Sequence, residues 1–286
     1  MGQEPPVLKP CLKWAGGKRQ LLAEIIKNLP ARIEDYTYYE PFVGAGAVFF
    51  ALQPSRGVIN DVNAQLMATY RVIKEDVEAL IAVLQEHEKN NTPEYFYHIR
   101  NLDLDNRNFT RLPEVEKAGR LIFLNKTCFN GLYRVNARGL FNVPRGRYKN
   151  PRICEEGLLR AISQYLQNHA ITILQGDFAA ALQDAGDRAL VYLDPPYHSP
   201  DKLNFTGYQP PGFGEDEQIR LRDCFLVLTE RGAKCLLSNA DTEFIRKLYT
   251  HPRAEIIPLW AKRSINSDPS RRGQVGEVLI KNWKDP

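Results

Sequence analysis

Seven short β-rich apolar runs, most of them separated by helical patterns, constrain this chain more than any other feature. They fall at residues 36–40, 57–60, 171–174, 189–193, 233–237, 255–259 and 275–281. Helical periodicity occupies 18–28, 62–87, 178–184, 216–230 and 242–249, so both ends of the chain alternate β and α. Strands that alternate with helices bury their apolar faces best as parallel neighbours joined by crossovers on both sides of one sheet. The expected class is α/β: a doubly wound, mostly parallel, Rossmann-like sheet of about seven strands.

The middle of the chain breaks this alternation. It is helical at 94–100 and 114–124, then rich in Gly, Asn and Arg, then helical again at 155–168. We read 63–170 as an inserted, mainly helical domain and 1–62 with 171–286 as the sheet domain; 286 residues suffice for both. Within the insert, VNARGLFNVPRGRY has a turn signal at Ala137-Arg138-Gly139 between β-compatible flanks, which predicts a β-hairpin. From Lys126 to Arg152 there are seven Lys/Arg and no Asp or Glu, interleaved with Phe129, Tyr133, Phe141 and Tyr148. Such a stretch suits phosphate contacts and base stacking, and a basic hairpin can enter a DNA groove; a solvated basic loop is the plainer alternative. The net charge of +4 decides nothing by itself.

Several classes are set aside. With 43% hydrophobic and 25% charged residues the chain has globular composition, which argues against disorder or a fibre. No apolar run is long enough for a signal peptide or a membrane span, and Pro6 does not fit a myristoylation signal, so a cytoplasmic protein is expected. Cys11, Cys128, Cys154, Cys224 and Cys235 form no CxxC pair and are odd in number, which favours reduced thiols. His87, His98, His169, His198 and His251 are dispersed with no ligand-like spacing, so no metal is expected.

Chemistry is concentrated at two strand ends. In YYEPFVGAG a strand turns through Phe42-Val43-Gly44-Ala45-Gly46 into an apolar helical start, where glycines permit close approach of a ligand to the backbone. The third glycine of the dinucleotide fingerprint is replaced by Phe49. Asp61, ending the next strand, suits the two ribose hydroxyls of a nucleotide cofactor, and equally an N-cap. The stronger signal is Leu190-Val191-Tyr192-Leu193 running into Asp194-Pro195-Pro196-Tyr197, a loop at the carboxyl end of a buried strand, where open α/β sheets bind ligands. The exocyclic nitrogen of adenine is a poor nucleophile because its lone pair is delocalised into the ring. Asp194 and the Pro195 carbonyl can each accept a hydrogen bond from it, drawing it towards tetrahedral geometry. Pro195 and Pro196 stiffen the loop, and Tyr197 can stack on a base taken out of the duplex.

With these residues in view, the chain resembles, over nearly its whole length, the Dam-type (α-group, D12 class) adenine-N6 DNA methyltransferases, whose best-known members modify GATC. Leu12 to Lys18 is similar to the family's N-terminal cofactor motif, Glu40 to Gly46 to its glycine motif and Asp194 to Tyr197 to its catalytic motif. The resemblance implies a methyltransferase sheet with an inserted DNA-recognition domain, S-adenosylmethionine as cofactor and double-stranded DNA as partner. It implies that Trp14 and Lys18 line the cofactor pocket, Asp61 holds the ribose, and Phe42, Gly44 and Gly46 pass under the methionine part. It also implies that Asp177 and Phe178 meet the cofactor's adenine, with a helix-cap role for Asp177 as the rival. On the DNA side it implies roles for Lys13, Phe129, Asn130, Arg134, Asn136, Arg147 and Tyr148, with Arg134 reading a guanine. Phe129 stands where relatives often have tyrosine. The basic loop from Lys262 to Gly273 would face the DNA.

Rival readings are methylation of RNA adenine or cytosine N4 by the same cofactor, and a DNA-binding module without catalysis. A nicotinamide dehydrogenase would leave Asp-Pro-Pro-Tyr unexplained. A monomer suffices for one flipped base, and a cognate restriction endonuclease is a conceivable partner.

Overall fold

The computed structural model describes residues 8–14, 16–18, 21–199, 212–262 and 274–284, without the side chains of 260–262, 274 and 275. All seven expected strands form, with ends shifted by at most three residues: β1 Thr37–Glu40, β2 Arg56–Ile59, β3 Ala170–Ile173, β4 Ala189–Leu193, β5 Lys234–Ala240, β6 Glu255–Lys262 and β7 Gln274–Lys281. They make one sheet in the order β3-β2-β1-β4-β5-β7-β6. The first five are parallel neighbours, and β7 runs antiparallel between β5 and β6. The chain winds outward from β1 in one direction and from β4 in the other, so the crevice above the ends of these two strands is the switch point of the sheet. Both chemical motifs leave the sheet there.

The helices are α1 Leu22–Lys27, α2 Ala47–Leu52, α3 Ala64–Glu75, α4 Val77–Lys89, α5 Pro93–Arg100, α6 Asn106–Arg111, α7 Glu114–Thr127, α8 Glu156–Asn168, α9 Phe178–Ala181, α10 Glu215–Glu230 and α11 Glu243–Leu248. All of β4 is buried, and its side chains alternate between two cores. Leu190 and Tyr192 face a core that takes in Phe49, Leu66, Leu80, Phe96, Leu121 and Leu159 from α2, α3, α4, α5, α7 and α8. Ala189, Val191 and Leu193 face another built from Phe178, Leu221, Phe225 and Ile245 of α9, α10 and α11. The helices between β2 and β3 thus share a continuous core with one face of the sheet.

Two expectations need correction. The single helix expected over 62–87 is broken at Asp76, whose φ of −144° and ψ of 54° leave the helical region; the Lys74 ammonium anchors the end of α3 on the Ile171 carbonyl at 2.9 Å, so the chain must turn there to continue over α7. The hairpin expected about Ala137–Gly139 closes as a tight turn but has only the isolated bridge between Val135 and Phe141 in place of two strands. The side chain of Asn136 takes the N–H groups of Arg138 and Leu140, at 2.9 and 3.1 Å. The Phe141 N–H donates to Asp103 Oδ2 at 2.9 Å, a carboxylate buried in an ion pair with Arg120 at 2.7 Å. The bridge is flanked by Asn142 N–H to the Arg134 carbonyl and Asn136 N–H to the Leu140 carbonyl; the Leu140 N–H, spent on the Asn136 side chain, cannot complete the pairing, while the Phe141 N–H points away from Val135.

Candidate active site

The site begins where β1 ends. Gly46 N–H closes the turn on the Val43 carbonyl at 2.7 Å, with Gly44 and Gly46 at φ of +48° and +73°. A Cβ on Gly44 would lie 2.9 Å from Trp14 Cδ1, so the glycine is required both by backbone sign and by the closeness of the indole. Asp61, beyond β2, accepts from Gly44 N at 3.1 Å and Asn63 N at 2.9 Å, and burial raises its pKa. The cap of α3 is Asn63, which accepts from Leu66 N at 3.0 Å, so Asp61 has no capping duty there. A carboxylate has about four lone-pair sites, and two hydrogen bonds leave Asp61 able to accept more.

A short aromatic cluster joins this turn to the next loop: Phe42, Phe178 and Phe213 have ring centroids 5.3–5.9 Å apart. Asp177 caps α9 through Ala179 N at 2.9 Å. It is also gripped by both terminal nitrogens of Arg220, at 3.0 and 2.6 Å, which holds its carboxyl below the usual range. Arg220 lies 4.2 Å over the Phe178 ring. This arginine, absent from the sequence reading, fixes both Asp177 and Phe178; a lone Arg on a helix gives no motif by which to find it.

At the end of β4, Asp194 Oδ1 is 2.8 Å from Lys18 Nζ. That oxygen is buried, and the Lys18 ammonium is the partner that compensates its charge among the described residues. Burial pushes the Asp194 carboxyl up to about 6 against the pull of Lys18. The Lys18 ammonium donates to the Gly16 carbonyl at 2.9 Å and sits 4.4 Å over the Tyr197 ring. Tyr197 Oη donates to Glu277 Oε2 of β7 at 2.8 Å, which fixes the ring. Among the described residues no donor reaches the Pro195 carbonyl. Beside the loop, Glu40 is buried, receives the Tyr38 hydroxyl at 2.7 Å, and is pushed up to about 8 by desolvation. Glu277 and Glu40 were assigned no role of their own from sequence, because strand glutamates read as surface residues until the sheet order is known.

Lys13 and the basic loops form a second cluster beside this crevice. Asn125 of α7 accepts from Lys13 N (2.8 Å) and donates to the carbonyls of Lys13 (2.7 Å) and Gly131 (3.0 Å). Lys13 Nζ reaches the Tyr148 hydroxyl at 3.5 Å. Trp14 stacks on Tyr133 with centroids 5.1 Å apart. Lys13, Trp14 and Lys18 thus touch the basic loops, the glycine turn and Asp194 in succession. Phe129 is 51% exposed, and Asn130 has a φ of 55°. Arg134 and Arg147 are exposed, and Arg134 Nε donates to Asn142 Oδ1 at 2.8 Å. The basic stretch 263–273 lies outside the described residues.

Among the described residues no group of His, Cys, Asp and Glu is arranged to hold a metal, all five cysteines are free, and no helix is long and apolar enough to cross a membrane. A glycine turn, an acidic side chain beyond β2 and aromatic surfaces at the switch point are a donor set that fits a nucleoside-bearing cofactor. A buried carboxylate beside them, with acceptor capacity beyond its contact to Lys18, fits an amino group.

The chain belongs to the D12 class of N6 adenine-specific DNA methyltransferases, whose family model matches residues 14–265. It is similar to the type II methyltransferase M1.LlaDCHI of Lactococcus lactis subsp. cremoris, with 42% identity over 96% of each chain. The type II methyltransferase M.MjaIII of Methanocaldococcus jannaschii is also 42% identical, over 96% of this chain and 99% of its own. The DNA adenine methylase of Escherichia coli K12 is 34% identical, over 94% and 93%. The protein is thus an enzyme that methylates adenine N6 in DNA, and its family implies S-adenosylmethionine as cofactor.

Proposed function

We propose that the enzyme methylates an adenine flipped out of duplex DNA, within GATC, using Asp194, Pro195, Pro196 and Tyr197 as its catalytic loop. The observation that carries this reading is the buried Asp194 carboxylate at the end of β4, which already faces one nitrogen cation, Lys18 at 2.8 Å, and retains further acceptor capacity. Asp194 accepts one N6–H hydrogen bond and the Pro195 carbonyl the other, localising the lone pair on nitrogen. Tyr197, pinned by Glu277, presents its face to the base. The Lys18 ammonium, a nitrogen donor beside Asp194 and over the Tyr197 ring, supports the idea that a substrate amino group is accommodated there.

The cofactor supplies an electrophilic methyl on a sulfonium. Trp14, Lys18, Phe42, Gly44, Gly46, Asp61, Asp177 and Phe178 would hold it, with Asp61 on the ribose hydroxyls. Residues 63–170 act as the target-recognition domain, in which Lys13 joins Phe129, Asn130, Arg134, Asn136, Arg147 and Tyr148 on the DNA. Arg134 reads a guanine, Arg147 and Tyr148 contact the groove and phosphates, and Phe129 stacks or wedges. A monomer suffices for catalysis, and the enzyme is cytoplasmic and nucleoid-associated. The type II names of the two relatives at 42% identity support a cognate restriction endonuclease as partner.

The test is transfer of labelled methyl from S-adenosylmethionine to a GATC duplex and to the same duplex already N6-methylated at that adenine. Label on the first alone is expected. Label on both alike, or only on duplexes lacking GATC, overturns the target assignment.

A further inference from the structure

Asp-Pro-Pro-Tyr is a difficult loop to hold in place. Its prolines have no N–H, and among the described residues 194–199 make no backbone–backbone hydrogen bond outside the sheet. Two side-chain amides do the holding. Gln218 of α10 donates through Nε2 to the Pro196 carbonyl at 2.9 Å. Its Oε1 accepts from Asn239 Nδ2 of β5 at 3.0 Å. Asn239 Oδ1 accepts in turn from the backbone N–H of His198 at 3.0 Å and of Ala240 at 2.8 Å. Both amides are 0% exposed.

Only one orientation of each amide satisfies this chain. Pro196 offers an acceptor and the His198 backbone a donor, so Gln218 must turn its NH2 to the loop and its oxygen to Asn239. The far end is fixed further by the His198 ring, which meets Thr242 Oγ1 at 3.0 Å and stacks on Phe244 at 4.6 Å.

We infer that Gln218 and Asn239 form a positioning relay that grips the loop on both sides of Tyr197 and thereby aims the Asp194 carboxylate and the Pro195 carbonyl at the substrate amino group. The inference rests on the catalytic reading of that loop. Neither amide touches the reacting atoms; each acts through the backbone it holds. A buried polar chain with one member removed leaves its neighbours unpaired, so loss of either amide should release the loop about as much as loss of both.

The experiment is single-turnover methyl transfer by full-length Gln218→Ala, Gln218→Met, Asn239→Ala and the double alanine variant, with DNA and cofactor Kd and the folded fraction measured alongside. Each single variant should transfer on the order of 10- to 100-fold more slowly per folded molecule at unchanged Kd. The double variant should be no slower than the slower single. Losses that multiply, losses that vanish once corrected for folded fraction, or a wild-type rate in Gln218→Met overturn the relay. Should Asn239→Ala not fold, the near-isosteric Gln218→Met decides alone. Asp194→Ala separates the two levels: full activity there removes the catalytic reading itself, whereas an inactive Asp194→Ala beside fully active relay variants removes only the relay.

Discussion

The loop beyond β4 and the loops between α7 and α8 handle polar groups in opposite ways. In the first, Asp194 lies in a crevice where burial drives its carboxyl up to about 6, and nearly every neighbouring polar atom is committed. In the second, Phe129, Arg134 and Arg147 stand in solvent on a framework held from beneath by Asn125 and by the buried pair of Asp103 with Arg120. Chemistry on a weak nucleophile needs groups oriented before the substrate arrives. Reading DNA needs long side chains that settle against bases and phosphates. The contrast teaches that rigidity is placed around the reacting atoms in one region and below the contact surface in the other.

Removing Asp194 should have the largest consequence. Asp194→Ala deletes the acceptor for the amino group and should lower the single-turnover rate by about 10³-fold with DNA affinity nearly unchanged. A loss of binding in proportion to rate would erase the distinction between the regions. On the proposed catalytic reading, the same carboxylate should set the acid limb of the pH profile. Its pKa is raised by desolvation, and it must be ionised to accept N6–H, so kcat/KM should be full above about 6 and fall as pH drops through that value. Lys18 lowers this pKa, hence Lys18→Met should move the limb upward. A wild-type limb at the position of an ordinary aspartate would contradict the buried-carboxylate account.

The framework below the recognition loops is tested next. Asp103→Ala leaves the Arg120 guanidinium buried without its carboxylate and the Phe141 N–H without its acceptor. Truncating one member of a buried pair costs about 3 kcal/mol or more, to be read from denaturant unfolding. A change below about 1 kcal/mol would mean that these loops are not held from beneath. Arg134→Ala should leave stability alone and relax discrimination at one base by about 1–3 kcal/mol. The measurement compares methylation of duplexes altered at each position of the site, and an equal loss on all of them would make Arg134 a phosphate contact.

Much of this was legible beforehand because both motifs sit at strand ends, and strand positions follow from short apolar runs. The run 189–193 reads as a buried strand, which puts Asp194 at its carboxyl end, and β4 forms there with every residue buried. What stayed hidden depends on the order of strands. Glu277 meets Tyr197 only because β7 inserts beside β5, and Gln218 meets Asn239 only because α10 packs on β5. Single polar residues on regular elements have no local pattern to announce them. The hairpin was overestimated for a related reason: its flanks had β-compatible residues, but the Leu140 N–H that would complete the pairing beside the turn is spent on the Asn136 side chain.

The smallest expected effect sharpens the comparison most. Arg134 Nε is held by Asn142 Oδ1 at 2.8 Å, across the turn that Asn136 closes. If the exposed loops are aimed at all, Asn142 helps to aim Arg134, since fixing Nε restricts how the guanidinium turns on its way to a guanine edge. Asn142→Ala should therefore lower discrimination at the base read by Arg134, and at no other, by about 0.5–1.5 kcal/mol, the net value of one hydrogen bond. It should do nothing further in an Arg134→Ala background. Discrimination untouched by Asn142→Ala would mean that the recognition side chains find their geometry only on the DNA, and the difference between a preset catalytic loop and an adaptable reading surface would then be wider than the contacts of the free protein suggest.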